Sequence, residues 1–430
     1  MNKKINLVYE WIGPKGPISN NRIPTIIDLI DRQIDVSSPE IRYDFHLVPH
    51  FHNRFKNVNI VPASNLPDDV FLYELNFGNY HYRDLLHAFH FNDGLLDQNN
   101  ISPLVIERIK NKTAYILITL LFEGYLSDKF LSAMQEYFKH KNIPLTQLVY
   151  VTNCGNGKDV YENYCQRHNI VPEMHMEYLP VFRVDKTDIA NALVKYSLEG
   201  YTPGPREKTF LCFNRRYSDH RLLFFMMTVK RNLVDKFYMS MSASQPESDR
   251  TFKTNAEYLI YRHNTYGLTN EDIDSCNPLL PLVLDNDNFN RYPMETAVDP
   301  VEKFYKNSLI NIINETYFFN NIIHITEKTY KPIAFLQPFV LLGAAGSLQH
   351  IKDMGFKTFG EFWDESYDTE IDDSIRFTKI VNIVEEISNW SEQKKIEFSY
   401  KIKELLEYNL NRLNTMNNLE IDNFVEKYGA

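Results

Sequence analysis

The sequence predicts an α/β chain made of two successive Rossmann-like halves with parallel sheets, followed by a helical tail. Three observations lead there. Short apolar runs alternate with stretches of helical spacing over most of the 430 residues. Near the middle, Glu199-Gly-Tyr-Thr-Pro-Gly-Pro-Arg206 is dense in Gly and Pro, can continue neither a helix nor a central strand, and reads as a linker. From about Ile371 onward the sequence is charged and helical. The expected boundaries are residues 1–203 for an N-terminal, acceptor-side half and 204–385 for a C-terminal, nucleotide-sugar-binding half. Residues 386–430 are expected as C-terminal helices packing back across the domains.

In the first half, strands are expected at Lys4–Trp11, Tyr43–Leu47, Ala114–Phe122, Gln147–Thr152 and His175–Leu179. Helical spacing falls at Arg22–Arg32, Tyr82–Phe91 and Ser127–His140. After the linker, strand Thr209–Asn214 precedes helix Ser218–Asn232, and strand Lys236–Met241 follows. Ser242–Val301 is a long polar region punctuated by prolines, with the composition of a specificity loop. Then come strand Leu309–Glu315, helix Thr326–Leu336, strand Pro338–Gly343 and helix Ser347–Met354.

Composition fits this division. The chain is longer than the usual domain of about 100–200 residues, and its 43% hydrophobic and 14% aromatic content can fill two cores. A net charge of −10 argues against a uniformly basic nucleic-acid surface, though it leaves room for a local basic groove. Cys154, Cys165, Cys212 and Cys276 form no CxxC pair and no zinc spacing, so they read as buried or free thiols in a reducing compartment. The N-terminus carries a strand pattern and no signal peptide. The most apolar windows, Ala114–Phe122 and Pro338–Ala345, are too short to span a bilayer. The expected location is cytoplasmic, in a bacterium or a phage-infected host cell, with no membrane span.

Ligands of parallel sheets bind beyond the carboxyl ends of the strands, so chemistry is sought there. One strand ends in Asn214 and delivers Arg215 and Arg216 to a loop, with His220 and Arg221 in the first turn of the next helix. Arginines and free amides at a helix start suit a diphosphate, although paired arginines also occur on ordinary basic turns. A second strand ends in Glu315, and a short loop with His324 leads to Thr326-Glu-Lys-Thr-Tyr-Lys-Pro332. Thr326 is a candidate N-cap. Glu327, Lys328 and Lys331 then share one helical face, a carboxylate for ribose or sugar hydroxyls and two ammonium groups for a leaving diphosphate. Taken alone, the spacing would also suit a surface ion pair.

The run from Ile325 through Thr326-Glu-Lys to Pro332, followed by Pro338-Phe-Val-Leu-Leu-Gly343, resembles the donor-binding segment of GT-B glycosyltransferases related to the α1,3-fucosyltransferases. It is also similar to phage and bacterial glycosyltransferase-like proteins. In those, Asn-Arg-Arg, a glutamate ending a strand, Thr-Glu-Lys, and a segment like Gly355-Phe-Lys-Thr-Phe359 occur in that order. The resemblance covers about residues 205–370. It implies a GT-B fold with an interdomain cleft. Arg215 and Lys328 would meet the donor phosphates and Glu327 the ribose or sugar, with Glu315 and Thr326 lining the pocket and Arg216 and Arg221 in support. Residues 241–308 depart from the fucosyltransferase pattern, which puts fucose and a guanine nucleotide in doubt.

The expected activity is transfer of a hexose or pentose from a nucleoside-diphosphate sugar, UDP-sugar favoured, to a hydroxyl. It is expected to be metal-independent and inverting, with the sugar nucleotide as co-substrate and no permanently bound cofactor. The base stays open among Glu10, directly after the first strand in a Gly/Pro loop, Asp93 and Glu123, with His87 and His90 as rivals. His87 and His90 lack nearby partners for a metal site. No P-loop, GxGxxG or GxSxG occurs. The acceptor stays open between a hydroxymethylated pyrimidine in phage DNA, for which Arg22, Lys56, Arg83 and Lys110 could supply basic walls, and a glycan or small molecule. A non-catalytic scaffold binding nucleotide or glycan is the competing reading.

Overall fold

The computed structural model describes residues 5–9, 58–62, 66–75, 102–120, 126–180, 187–214, 218–241, 251–262, 266–284, 298–415 and 419–429. The chain forms two compact units, residues 1–181 with 417–430, and residues 182–416.

The first unit holds six parallel strands: β1 (Ile5–Tyr9), β2 (Val58–Pro62), β3 (Phe71–Leu75), β4 (Ala114–Leu120), β5 (Leu148–Thr152) and β6 (His175–Tyr178). Their order is β2-β1-β3-β4-β5-β6. Among the described residues up to Pro180 its helices are α1 (Pro103–Lys110), α2 (Asp128–His140) and α3 (Gly157–Arg167). β5 is buried at all five residues, the signature of a parallel strand covered on both faces. Helix α2 starts where its sequence says it should: Ser127 accepts a hydrogen bond from the amide of Phe130 at 3.3 Å. Strands β2 and β3 lie outside the expected set. The expected strand Tyr43–Leu47 and helices Arg22–Arg32 and Tyr82–Phe91 fall outside the described residues.

The second unit contains α4 (Thr187–Glu199), β7 (Lys208–Phe213), α5 (Asp219–Lys230), β8 (Phe237–Ser240), α6 (Phe252–Arg262), α7 (Asn270–Cys276), α8 (Val298–Lys306) and β9 (Ser308–Asn314). It continues with α9 (Glu327–Ala334), β10 (Phe339–Leu342), α10 (Ser347–Asp353), α11 (Asp373–Ser388), α12 (Glu392–Lys401) and α13 (Lys403–Thr415). The four strands are parallel in the order β10-β9-β7-β8. From β7 the chain steps to β8 on one side and then to β9 on the other. The topological switch point of this sheet therefore lies between β7 and β9.

Two features depart from the sequence reading. Among the described residues, the polar stretch Ser242–Val301 holds helices α6 and α7 and the start of α8; α6 buries Phe252, Ala256 and Leu259, and α7 starts with a capping box between Thr269 and Asp272. The Gly/Pro segment around residues 199–206 lies inside the second unit, and the division falls at Val181 and Phe182. Gly200 at φ +71° and Gly204 at φ +144° turn the chain against the C-terminal helices. There the Gly204 amide donates to Ser399 Oγ at 3.0 Å. Helices α12 and α13 belong to this unit, whereas α14 (Leu419–Tyr428) belongs to the first. Tyr428 Oη and Lys427 Nζ each donate to Glu177 at 2.6 Å.

Candidate functional site

At the carboxyl ends of β7 and β9, Asn314 turns to Asn214 on one side while the next residue, Glu315, turns to the start of α9. Asn214 and Asn314, both buried, face each other across the strand pair; Asn314 Nδ2 donates to Asn214 Oδ1 at 2.8 Å and approaches Cys212 Sγ at 3.3 Å. The adjacent Glu315 is 1% exposed, and its carboxylate is turned mainly toward the start of α9. Its Oε1 accepts from the Thr326 amide at 3.0 Å and Thr329 Oγ1 at 2.7 Å. Its Oε2 accepts from Thr326 Oγ1 at 2.7 Å and the Thr316 amide at 3.2 Å. A carboxylate at the positive end of a helix is favourable, and four donors offset its burial. Glu315 thus fixes the position of α9.

Thr326 is the N-cap of α9, its hydroxyl accepting from the Lys328 amide at 3.3 Å. Lys328, partly exposed, folds back over the same turn. Its Nζ lies 3.0 Å from Thr326 Oγ1, 3.6 Å from Glu327 and 3.9 Å from Glu315. A cation, a half-exposed helix start and a carboxylate at Glu327 are thereby brought together at the switch point. Lys331 lies one turn further along α9 and is half-buried.

Helix α5 supplies the facing side. His220 Nε2 is 2.8 Å from the Glu315 carbonyl. A carbonyl only accepts, so Nε2 carries the proton and Nδ1 is left to accept from Ser218 Oγ at 3.3 Å. Arg221 Nη2 donates to the Asn314 carbonyl at 3.2 Å. Burial, with Arg221 and Lys328 nearby, drives the His220 imidazole down to about 3. His324, tilted against Tyr317 at 5.6 Å, is likewise held at about 3 by burial and then by Lys328. Both rings are neutral at neutral pH, and among the described residues Arg221 and Lys328 bring positive charge to bear on His220.

The structure thus joins Asn214, Arg221, Glu315, His324, Thr326, Glu327, Lys328 and Lys331 at one sheet end or on the helix that starts there. Arg215, Arg216, Glu10, Asp93 and Glu123 lie outside the described residues, as do His87 and His90. Thr329 and Asn314 were missed by sequence reasoning. Thr329 sits one helical turn after Thr326, a spacing that could have marked it. In the segment Gly355–Phe359, Asn409 bonds both the amide and the carbonyl of Lys357 at 2.8 Å. The third helix start in this sheet is already filled by a protein carboxylate: Asp368 accepts from the amides of Leu348 at 2.8 Å and Gln349 at 2.9 Å. Among the described residues no helix is long and apolar enough to cross a membrane.

No protein-family model matches the sequence, and no curated protein matches it. Solved structures similar to the chain include the N-terminal domain of trehalose-6-phosphate phosphatase from Candida albicans. That domain is 10% identical with a TM-score of 0.37, and the match covers 100% of this chain and 99% of the other. A glycosyltransferase from Rickettsia africae ESF-5 is 11% identical with a TM-score of 0.32, and the match covers 99% of each chain.

Proposed function

We propose that the protein is a GT-B glycosyltransferase that binds a nucleoside-diphosphate sugar at the β7/β9 switch point and transfers the sugar to a hydroxyl. The observation that carries this is the start of α9. Glu315 anchors it, and it places Lys328 and Glu327 side by side where ligands of parallel sheets bind. The helix start and Lys328, with Arg215 following β7 in sequence, supply the positive field for a departing diphosphate. Glu327 is the acceptor for ribose or sugar hydroxyls.

UDP-sugars are the favoured donors and the reaction is metal-independent and inverting. For the acceptor base, Glu10 ranks ahead of Asp93 and Glu123. It directly follows β1, and the switch point of the first sheet lies between β1 and β3. The acceptor is a hydroxymethylpyrimidine in DNA or the hydroxyl of a glycan or small molecule. A gel shift with duplex DNA at low salt separates them, because phosphate contacts weaken steeply as salt rises.

The decisive experiment offers a panel of sugar nucleotides and follows donor hydrolysis and transfer. Lys328→Ala is expected to keep the fold and to lower turnover about 100-fold or more. Undiminished turnover in a folded Lys328→Ala protein overturns the assignment.

A further inference from the structure

Arg376, in the first turn of α11, is 1% exposed. Its guanidinium donates to the carbonyls of Glu370 and Phe318, each at 2.7 Å, and pairs with Asp373. It also lies 4.5 Å from the centroid of the Phe318 ring. Burying a guanidinium costs several kcal/mol of desolvation, and a well-packed apolar side chain would support a core at least as well. The placement is better explained by what Arg376 holds.

It holds Phe318. That ring stacks on His220 at 5.7 Å and 22°, and meets Phe319 at 5.1 Å and Phe377 at 6.0 Å edge-on. His220 in turn bonds the Glu315 carbonyl, and its neighbour Arg221 bonds the Asn314 carbonyl. Phe318 belongs to the segment 316–325, which leaves Glu315 and re-enters the structure at Thr326, the cap of α9. One buried cation thus grips, near its start, the loop whose two ends meet at Glu315 and Thr326.

We propose that Arg376 is a positioning residue of the β7/β9 site, fixing Phe318 and through it the His220 ring and the loop that orients Lys328. The inference rests on the functional reading above for its consequence in ligand binding, and on contacts alone for its consequence in the loop. Among the described residues, the charged groups acting on His220 are Arg221 on its own helix and Lys328 on α9, and both disfavour its protonation. Removing the Phe318 face admits water to the ring and so favours protonation.

The test uses the full chain with Arg376→Lys and Phe318→Leu. Hydrogen exchange is read separately for 316–325 and for β7 and β9. The His220 imidazole is titrated by NMR, assigned with His220→Gln, and UDP affinity is measured by calorimetry. For Arg376→Lys, exchange in 316–325 is expected to quicken about tenfold with β7 and β9 protection unchanged. The His220 titration is expected to move upward and UDP affinity to fall about tenfold. Phe318→Leu removes the ring but leaves Arg376 its bonds to Glu370, Asp373 and the carbonyl of residue 318, and should reproduce the titration change even if Arg376→Lys fails to fold. A folded Arg376→Lys protein with unchanged loop exchange and titration overturns the proposal, as does a uniform loss of protection across the unit. Should the unsubstituted protein not bind UDP, the nucleotide reading fails, while the exchange and titration results still decide the role of Arg376.

Discussion

A glutamate that ends a buried strand can serve a ligand or the fold, and Glu315 is committed to the fold by four protein donors. Replacing it with glutamine turns one acceptor into an amide donor facing the Thr326 and Thr329 groups. Glu315→Gln is therefore expected to cost about 1–3 kcal/mol in denaturant unfolding. Its effect on donor affinity should follow from displacement of α9. The two buried imidazoles make a further prediction. Both have native pKa values near 3, below the ordinary 6.5, so the unfolded chain binds more protons between those limits. Stability from these groups is fully present above about pH 6.5 and is lost as pH falls toward 3, with a slope of about 1.4 kcal/mol per pH unit for each ring. Unfolding free energies measured from pH 7 to 4 should show this fall, and His220→Gln should reduce it.

Among the elements, the short helices of the second unit depend on how they are started and stopped. Gly355 ends α10 at φ +87°, with its amide bonded to the Lys352 carbonyl at 2.8 Å and the Phe356 amide to the Ile351 carbonyl at 3.2 Å. A Cβ there would sit 2.6 Å from Arg412 Nε, which itself donates to the Met354 carbonyl. Gly355→Ala is expected to cost roughly 1–3 kcal/mol, from left-handed strain together with the displaced guanidinium. Gly355→Asn, which tolerates this backbone region better but still carries the Cβ, should cost no less where the clash dominates. Thermal melts of both variants separate the two contributions.

Over the whole molecule, the chain divides so that its last helix is part of the first unit. Phe424 and Tyr428 are buried, and Tyr428 packs 5.5 Å from Tyr115. Burial of such rings contributes about 1.5–3 kcal/mol each. Ending the chain at Thr415 should lower hydrogen-exchange protection in β4 to β6 and leave β7 and β9 unchanged. Equal loss in both sheets would contradict the assignment of α14 to the first unit.

Local sequence determined a good deal. The apolar runs at 114–120, 148–152, 208–213, 308–314 and 339–342 become parallel strands because each is wholly or largely buried, which short-range hydrophobicity records. The cap at Thr326, and the Thr-Glu-Lys run at the α9 start, were also legible, because capping is a property of a few adjacent residues. What the tertiary structure decided is everything that depends on partners distant in sequence. Strands β2 and β3 acquire their identity by pairing with β1. The Gly/Pro segment proves to be packed inside a unit because Ser399 lies against it, 195 residues away. Glu315 turned from candidate ligand residue to anchor, and Arg376 acquired a role, through bonds whose partners no local pattern specifies. Order along the chain fixes which side chains are available at a strand end; only the strand order β10-β9-β7-β8 fixes which of them meet.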